Sequence, residues 1–201
     1  MMMFAYVLSY LFGSISFAYV IARFHRIKLD KFGDGNLGAT NLMYALMKKK
    51  KYSKSKALFF FLFVGLLDGL KALIPTLLFD PLAGIFAILG HCFSIFTIPK
   101  TRKIPSGVGL ASSIGWILAV DYKMMLPVGI VFLPFLFYFG KFFEKERGHI
   151  YSIFTYPFGA LLYIIWQNPA KDIVYSLILM TVIVVAARLI KIKRFLETCL
   201  K

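Results

Sequence analysis

An all-α, polytopic membrane protein with seven transmembrane helices is predicted by three observations. Hydrophobic residues make up 60% of the 201 residues, and mean hydropathy is +0.77. A soluble domain is typically only about 45–50% apolar. The apolar residues come in blocks of bilayer-crossing length, roughly 17–25 residues. Lipid offers no water to backbone polar groups, so such blocks must be helices, and their unbroken runs do not alternate as barrel strands do.

The spans run Met3–Phe24, Ala57–Phe79, Leu82–Ile98, Gly107–Val120, Met124–Gly140, Ile150–Trp166 and Ile173–Ile190. The fourth is short, and its start can lie inside the preceding loop. Pro75, Pro127, Pro134 and Pro157 fall within spans and predict local kinks, tolerable where neighbouring helices satisfy the freed carbonyls. The N-terminus has neither a charged region nor a cleavage site, so it reads as the first membrane helix rather than a removed signal. Residues 1–201 make one membrane domain.

Charge sets the orientation. The formal charge is +15, from 24 Lys and Arg against nine Asp and Glu. Twenty-one of the 24 fall in four stretches: ten in Arg23–Lys56, three in Lys100–Lys103, three in Lys141–Arg147 and five from Arg188 onward. Only Lys123 and Lys171 fall on the other side, and Lys71 lies within a span. Basic loops stay cytoplasmic and meet anionic lipid, which puts the N-terminus outside and the C-terminus in the cytoplasm. The basic residues sit in short connectors between apolar spans, so nucleic acid is not the expected partner. Lys48–Lys51 reads as a solvated patch near lipid headgroups. The stretch from Arg188 to Glu197 reads as a basic amphipathic helix that continues the last span. Cys92 and Cys199 give neither a disulfide framework nor a metal spacing.

The most informative stretch is Gly33-Asp34-Gly35-Asn36-Leu37-Gly38-Ala39-Thr40-Asn41 in the first cytoplasmic loop. Glycines let the backbone turn with positive φ and approach a ligand, and successive N–H groups in such turns form an anion nest. Asn36, Thr40 and Asn41 add neutral donors. Together they suit phosphate, although an ordinary Asn/Gly-rich connector has the same look. Asp68 and Lys71, three apart, share one face of the second span and can pair. A charge at a helix centre costs roughly 2.5–3.5 kcal/mol to insert, so two of them imply a polar interior: a structural salt bridge, a substrate contact, or both. His91 lies in the third span within Gly90-His91-Cys92-Phe93. Lys100, Arg102 and Lys103 follow it, and then Ser106-Gly107-Val108-Gly109 at a helix start, which can present N–H groups to an anion. No Ser-His-Asp set and no metal-ligand cluster is visible, and no cofactor is called for.

These residues resemble the acyl-phosphate glycerol-3-phosphate acyltransferases of bacterial phospholipid synthesis, the PlsY family. Gly13-Ser14-Ile15-Ser16-Phe17-Ala18-Tyr19 is similar to the family's first-helix Gly-Ser-Ile-Pro-Phe signature. Gly35–Asn41 is nearly letter for letter its first loop motif, and Asp68-Gly69-Leu70-Lys71 and Gly90-His91-Cys92-Phe93-Ser94-Ile95-Phe96 continue the likeness. The resemblance implies seven helices with an outside N-terminus in the bacterial inner membrane, among membrane lipids. It implies transfer of a fatty acyl group from acyl phosphate to the 1-hydroxyl of glycerol 3-phosphate, giving lysophosphatidic acid. Gly35, Asn36, Gly38, Thr40 and Asn41 would contact phosphate, with Lys71, His91 and Lys103 nearby, and Asp34, Asp68, Lys100, Arg188 and Arg194 are further candidates. No general base is named.

The chain departs from the family at several of these points. Asp34 stands for a serine and Tyr44 for an arginine, both changes that disfavour an anionic ligand. Lys100–Val108 lacks the paired glycines of Lys-Gly-Gly-Lys-Gly-Val. Aligned on Ile192, Arg194 and Leu196, the third motif puts Arg188 at a histidine position and Lys191 at an asparagine position. The alternatives are a relative that has kept the fold and lost catalysis, and a small transporter motivated by the charges within spans, which lacks an inverted repeat.

Overall fold

The computed structural model describes residues 2–33, 35–102, 104–131 and 147–199. Among these, regular structure is entirely helical: α1 Met2–Gly13, α2 Phe17–Phe24, α3 Ala39–Lys50, α4 Lys54–Leu78, α5 Pro81–Cys92, α6 Ile98–Thr101, α7 Leu110–Val120, α8 Tyr122–Val131, α9 Arg147–Gln167 and α10 Lys171–Cys199. Among the described residues, three stretches are long and apolar enough to cross a membrane: Met2–Phe24, Lys54–Leu78 and Lys171–Lys193. At about 1.5 Å per residue, the 25 residues of α4 reach about 37 Å.

The helices are arranged for a lipid solvent. On α4 the large side chains Phe59, Leu62, Leu66, Leu77 and Leu78 point outward, while Ala57, Val64, Asp68, Lys71 and Ala72 are buried. Lipid tails are as apolar as leucine, so helix pairs gain from close backbone approach instead of from hiding large residues. Glycine supplies that approach at several helix pairs. A Cβ on Gly13 would strike the Ala87 carbonyl, and one on Gly90 the Tyr10 carbonyl, which locks α1 onto α5. A Cβ on Gly115 would strike the backbone of Gly69, which locks α7 onto α4. Gly115→Ala is therefore expected to destabilise the protein by about 1–3 kcal/mol, the usual scale for overpacking. A lower melting temperature in detergent micelles is the readout, and an unchanged one contradicts this packing.

Two apolar cores result. One joins α5, α7, α9 and α10 around Ile88, Cys92, Trp116, Ile117, Met180 and Val184. The other is smaller and packs α2, α3 and the connector between them against α4, through Ala22, Leu29, Leu37, Leu42, Leu46 and Val64.

The predicted spans are corrected at three places. The first is not one continuous helix: the chain breaks at Ser14-Ile15-Ser16, and the Ser16 hydroxyl caps α2 by accepting from the Tyr19 N–H. Ser94 Oγ donates to the Ser14 carbonyl that the break frees. The third helix stops at Cys92 instead of Ile98, because Ser106 draws the chain out of helix: its N–H donates to the Cys92 carbonyl and its hydroxyl accepts from the Ser94 N–H. The fourth begins at Leu110, after an extended approach through Gly107. Of the predicted fifth span, residues 132–140 lie outside the described residues, and with them Pro134. The last span and the tail form one helix, as expected.

Candidate functional site

The break in the first span, the first loop and the segment after α5 meet at one place. Ser16 Oγ donates to the Leu37 carbonyl, 3.1 Å, and the Leu37 N–H donates to the Ser106 carbonyl, 3.2 Å. Ser106 Oγ donates to the His91 carbonyl at 2.8 Å. Gly13, Ser14, Ile15, Ser16, Leu37, His91, Ser106 and Gly107 line the resulting narrow cleft. Gly107 is there because nothing larger fits: a Cβ would fall on the His91 ring.

His91 joins the cleft to a buried charge set. Its Nδ1 lies 3.7 Å from Asp68 Oδ1, which binds Lys71 Nζ at 2.7 Å. Lys71 is fully buried and its ammonium sits 4.8 Å from the centre of the Phe17 ring. Helix spacing brings Asp68 and Lys71 together, as their separation of three predicts. Ser112 Oγ donates to the Asp68 backbone carbonyl, which ties α7 to the same turn.

The first loop is held from within. Asn41 Nδ2 donates to three carbonyls, those of Leu29, Phe32 and Asn36, at 3.2, 2.9 and 2.8 Å. These bonds shape the loop. The Gly35 N–H donates to the Phe32 carbonyl. Gly33 and Gly35 have φ of 60° and 71°, the left-handed conformation expected of a glycine turn. Gly38 is the N-cap of α3 and has no side chain to offer the first-turn N–H groups. The Asn36 side chain lies against Gly38.

Among the other candidates, Arg188 is buried with its guanidinium 5.2 Å from the Tyr156 ring centre, and Lys100 is exposed on α6. Asp34, Lys103 and the side chain of Arg194 lie outside the described residues. Ser14, Ser16, Ser94 and Ser106 do more at the site than their sequence suggests. The available signal was a Gly-Ser pair interrupting an apolar run. His25 and Asp30 also have a His-x-x-x-x-Asp spacing that can carry a base–carboxylate dyad. The fold does not build one: the His25 ring stands edge-on to Tyr52 and Phe60 at 5.6 and 5.5 Å, and no ion pair joins it to Asp30.

The sequence model of the family described as "Glycerol-3-phosphate acyltransferase" matches residues 3–198. A glycerol-3-phosphate acyltransferase of Aquifex aeolicus is 28% identical over 204 residues, covering 96% of this chain and 95% of that protein. One from Wolinella succinogenes is 33% identical over 137 residues, covering 63% of this chain, and the match spans about three fifths (61%) of that relative. The fold is similar to a crystal structure of PlsY, an integral membrane glycerol 3-phosphate acyltransferase, in its glycerol 3-phosphate form. The TM-score is 0.70 and the identity 26%, with 98% of this chain and 92% of that one covered. The chain belongs to the glycerol-3-phosphate acyltransferase family.

Proposed function

We propose that this chain transfers a fatty acyl group from an acyl phosphate to the 1-hydroxyl of glycerol 3-phosphate. The hydroxyl oxygen bonds the acyl carbon, the bond between that carbon and the phosphate oxygen breaks, and lysophosphatidic acid and inorganic phosphate leave. The observation that carries the reading is the cleft itself. The first loop reaches the cleft through Leu37, and His91 on its wall leads to the buried Asp68–Lys71 pair, in a chain whose solved relative was captured with glycerol 3-phosphate. Gly35, Asn36, Gly38 and Thr40 would contact phosphate, Asn41 would fix their geometry, and Lys103 would add positive charge. Catalysis then rests on positioning and on electrostatic stabilisation of two anionic substrates.

The same reading takes residues 1–201 as one domain that crosses the bacterial inner membrane seven times, among membrane lipids. Its N-terminus is outside, and its first loop and C-terminus are in the cytoplasm. The concentration of Lys and Arg in three connectors and the tail supports that orientation.

The test is phosphate release from palmitoyl phosphate by purified protein in lipid nanodiscs, with and without glycerol 3-phosphate. Release that depends on the acceptor, and drops about tenfold or more in Asn36→Ala (about 1.4 kcal/mol of transition-state stabilisation), is the expected result. No release from a folded sample overturns the reading in favour of a relative that has lost catalysis.

A further inference from the structure

Two segments distant in sequence meet at one corner of the fold. The His25 ring, just past the end of α2, stands edge-on to Tyr52 and Phe60, and Tyr52 tilts against Phe60 at 6.1 Å. This cluster joins the end of α2 to the start of α4, and the neighbouring cations gather with it. Arg23 and Arg26 flank His25 in sequence, and Lys51, Lys54 and Lys56 flank Tyr52; all five are exposed. Among the described residues no carboxylate pairs with any of them: the ion pairs lie at Asp68. Arg26 and Lys51 sit on helix-ending turns with φ of 56° and 52°. Those turns are closed by bonds from the Ile27 N–H to the Ala22 carbonyl, 2.8 Å, and from the Tyr52 N–H to the Leu46 carbonyl, 3.3 Å, so the backbone under the cations is fixed.

The chemistry of the corner matches an amphipathic anion. Like charges held together repel, and a shared anion relieves that repulsion. Lys and Arg at a membrane surface attract anionic headgroups. Here aromatic faces hold two of the cations in place: the Lys56 ammonium lies 4.3 Å from the centre of the Tyr52 ring, and the Arg23 guanidinium 5.9 Å from that of Tyr19. Apolar surface begins one turn further along α4. Phe59 stands edge-on to Phe60 at 5.7 Å and stacks on Phe63 at 6.0 Å, and both Phe59 and Phe63 are exposed. Leu62 and Leu66 continue the exposed strip on the same helical face, and Phe24, 83% exposed, projects beside Arg23. Cations at one end, with an aromatic strip running away from them along a membrane-crossing helix, suit a phosphate head with an alkyl chain parallel to α4. A soluble anion would engage the cations and leave the strip unused.

We propose that this corner seats an anionic phospholipid of the surrounding leaflet, with its phosphate among Arg23, Arg26, Lys51, Lys54 and Lys56 and an acyl chain along Phe59 and Phe63. None of these residues lines the His91 cleft, so the seat stands apart from the acyltransferase reading.

The test puts a tryptophan reporter on the strip. Phe59→Trp protein in phosphatidylcholine nanodiscs is titrated with dibrominated phosphatidylglycerol or dibrominated phosphatidylcholine, and quenching of the added tryptophan is read against the parent protein. Phosphatidylglycerol is expected to bind beside Phe59→Trp about threefold or more tightly than phosphatidylcholine. The preference should be lost in Lys51→Gln/Lys54→Gln/Lys56→Gln and reduced in Arg23→Gln/Arg26→Gln. All five positions are exposed, so these variants should melt as the parent does in pure phosphatidylcholine. Leu78→Trp, at the far end of α4, should show no preference. Equal quenching by the two lipids at Phe59→Trp overturns the proposal, as does a preference that survives both sets of substitutions or is matched at Leu78→Trp. So does a preference that inorganic phosphate abolishes and chloride of equal ionic strength does not, which would make the cluster a site for soluble anions.

Discussion

Asp68→Asn is expected to destabilise the protein by about 3–5 kcal/mol, because it leaves the Lys71 ammonium buried without its counter-charge. Lys71 is wholly enclosed, its one ion pair is 2.7 Å long, and the facing Phe17 ring offers only a partial substitute. Activity should be lost with it, since His91 is held beside the same carboxylate. Replacing both partners, Asp68→Asn with Lys71→Met, removes the uncompensated charge, so the double variant should melt well above Asp68→Asn alone. A double-mutant cycle on melting in detergent measures the coupling directly. Additive effects would mean that the pair does not stabilise the bundle.

Asn41→Asp should have the next largest effect, although it changes almost no volume. The amide donates to three backbone carbonyls, and a carboxylate has no proton to give any of them. Each orphaned acceptor costs about 1–3 kcal/mol where water cannot reach it, and the new charge faces three carbonyl oxygens. The loop should loosen, and the KM for glycerol 3-phosphate should rise by about tenfold or more as the phosphate contacts lose their geometry. Asn41→Leu separates the two causes: it loses the donors without adding the charge, and should lie between wild type and Asn41→Asp. An unchanged KM in both variants would place the acceptor elsewhere.

What the sequence disclosed depended on whether its signal was local. The helices α4 and α10 were legible because their apolar runs exceed the bilayer thickness. The Asp68–Lys71 pair was legible because helical spacing alone puts them on one face. The break at Ser14–Ser16 and the early end of α5 were not, because serines distant in sequence hold them. Ser94 reaches back 80 residues to Ser14, and Ser106 reaches His91 and Cys92. The three carbonyls that Asn41 Nδ2 reaches were not legible either, because they depend on how the loop folds back on itself. By charge counting Arg188 was one more member of a basic tail, and only the family resemblance made it a site candidate. Its burial depends on Tyr156 of a different helix, which no charge count registers.

The central claim is acyl transfer at the cleft between the first loop and His91. Its most direct test is to supply labelled glycerol 3-phosphate with palmitoyl phosphate to the purified protein in nanodiscs and identify the lipid product. The account predicts label in 1-palmitoyl lysophosphatidic acid, formed in step with inorganic phosphate. Phosphate released with free palmitate as the only lipid product, or no labelled lipid from a folded sample, would contradict it.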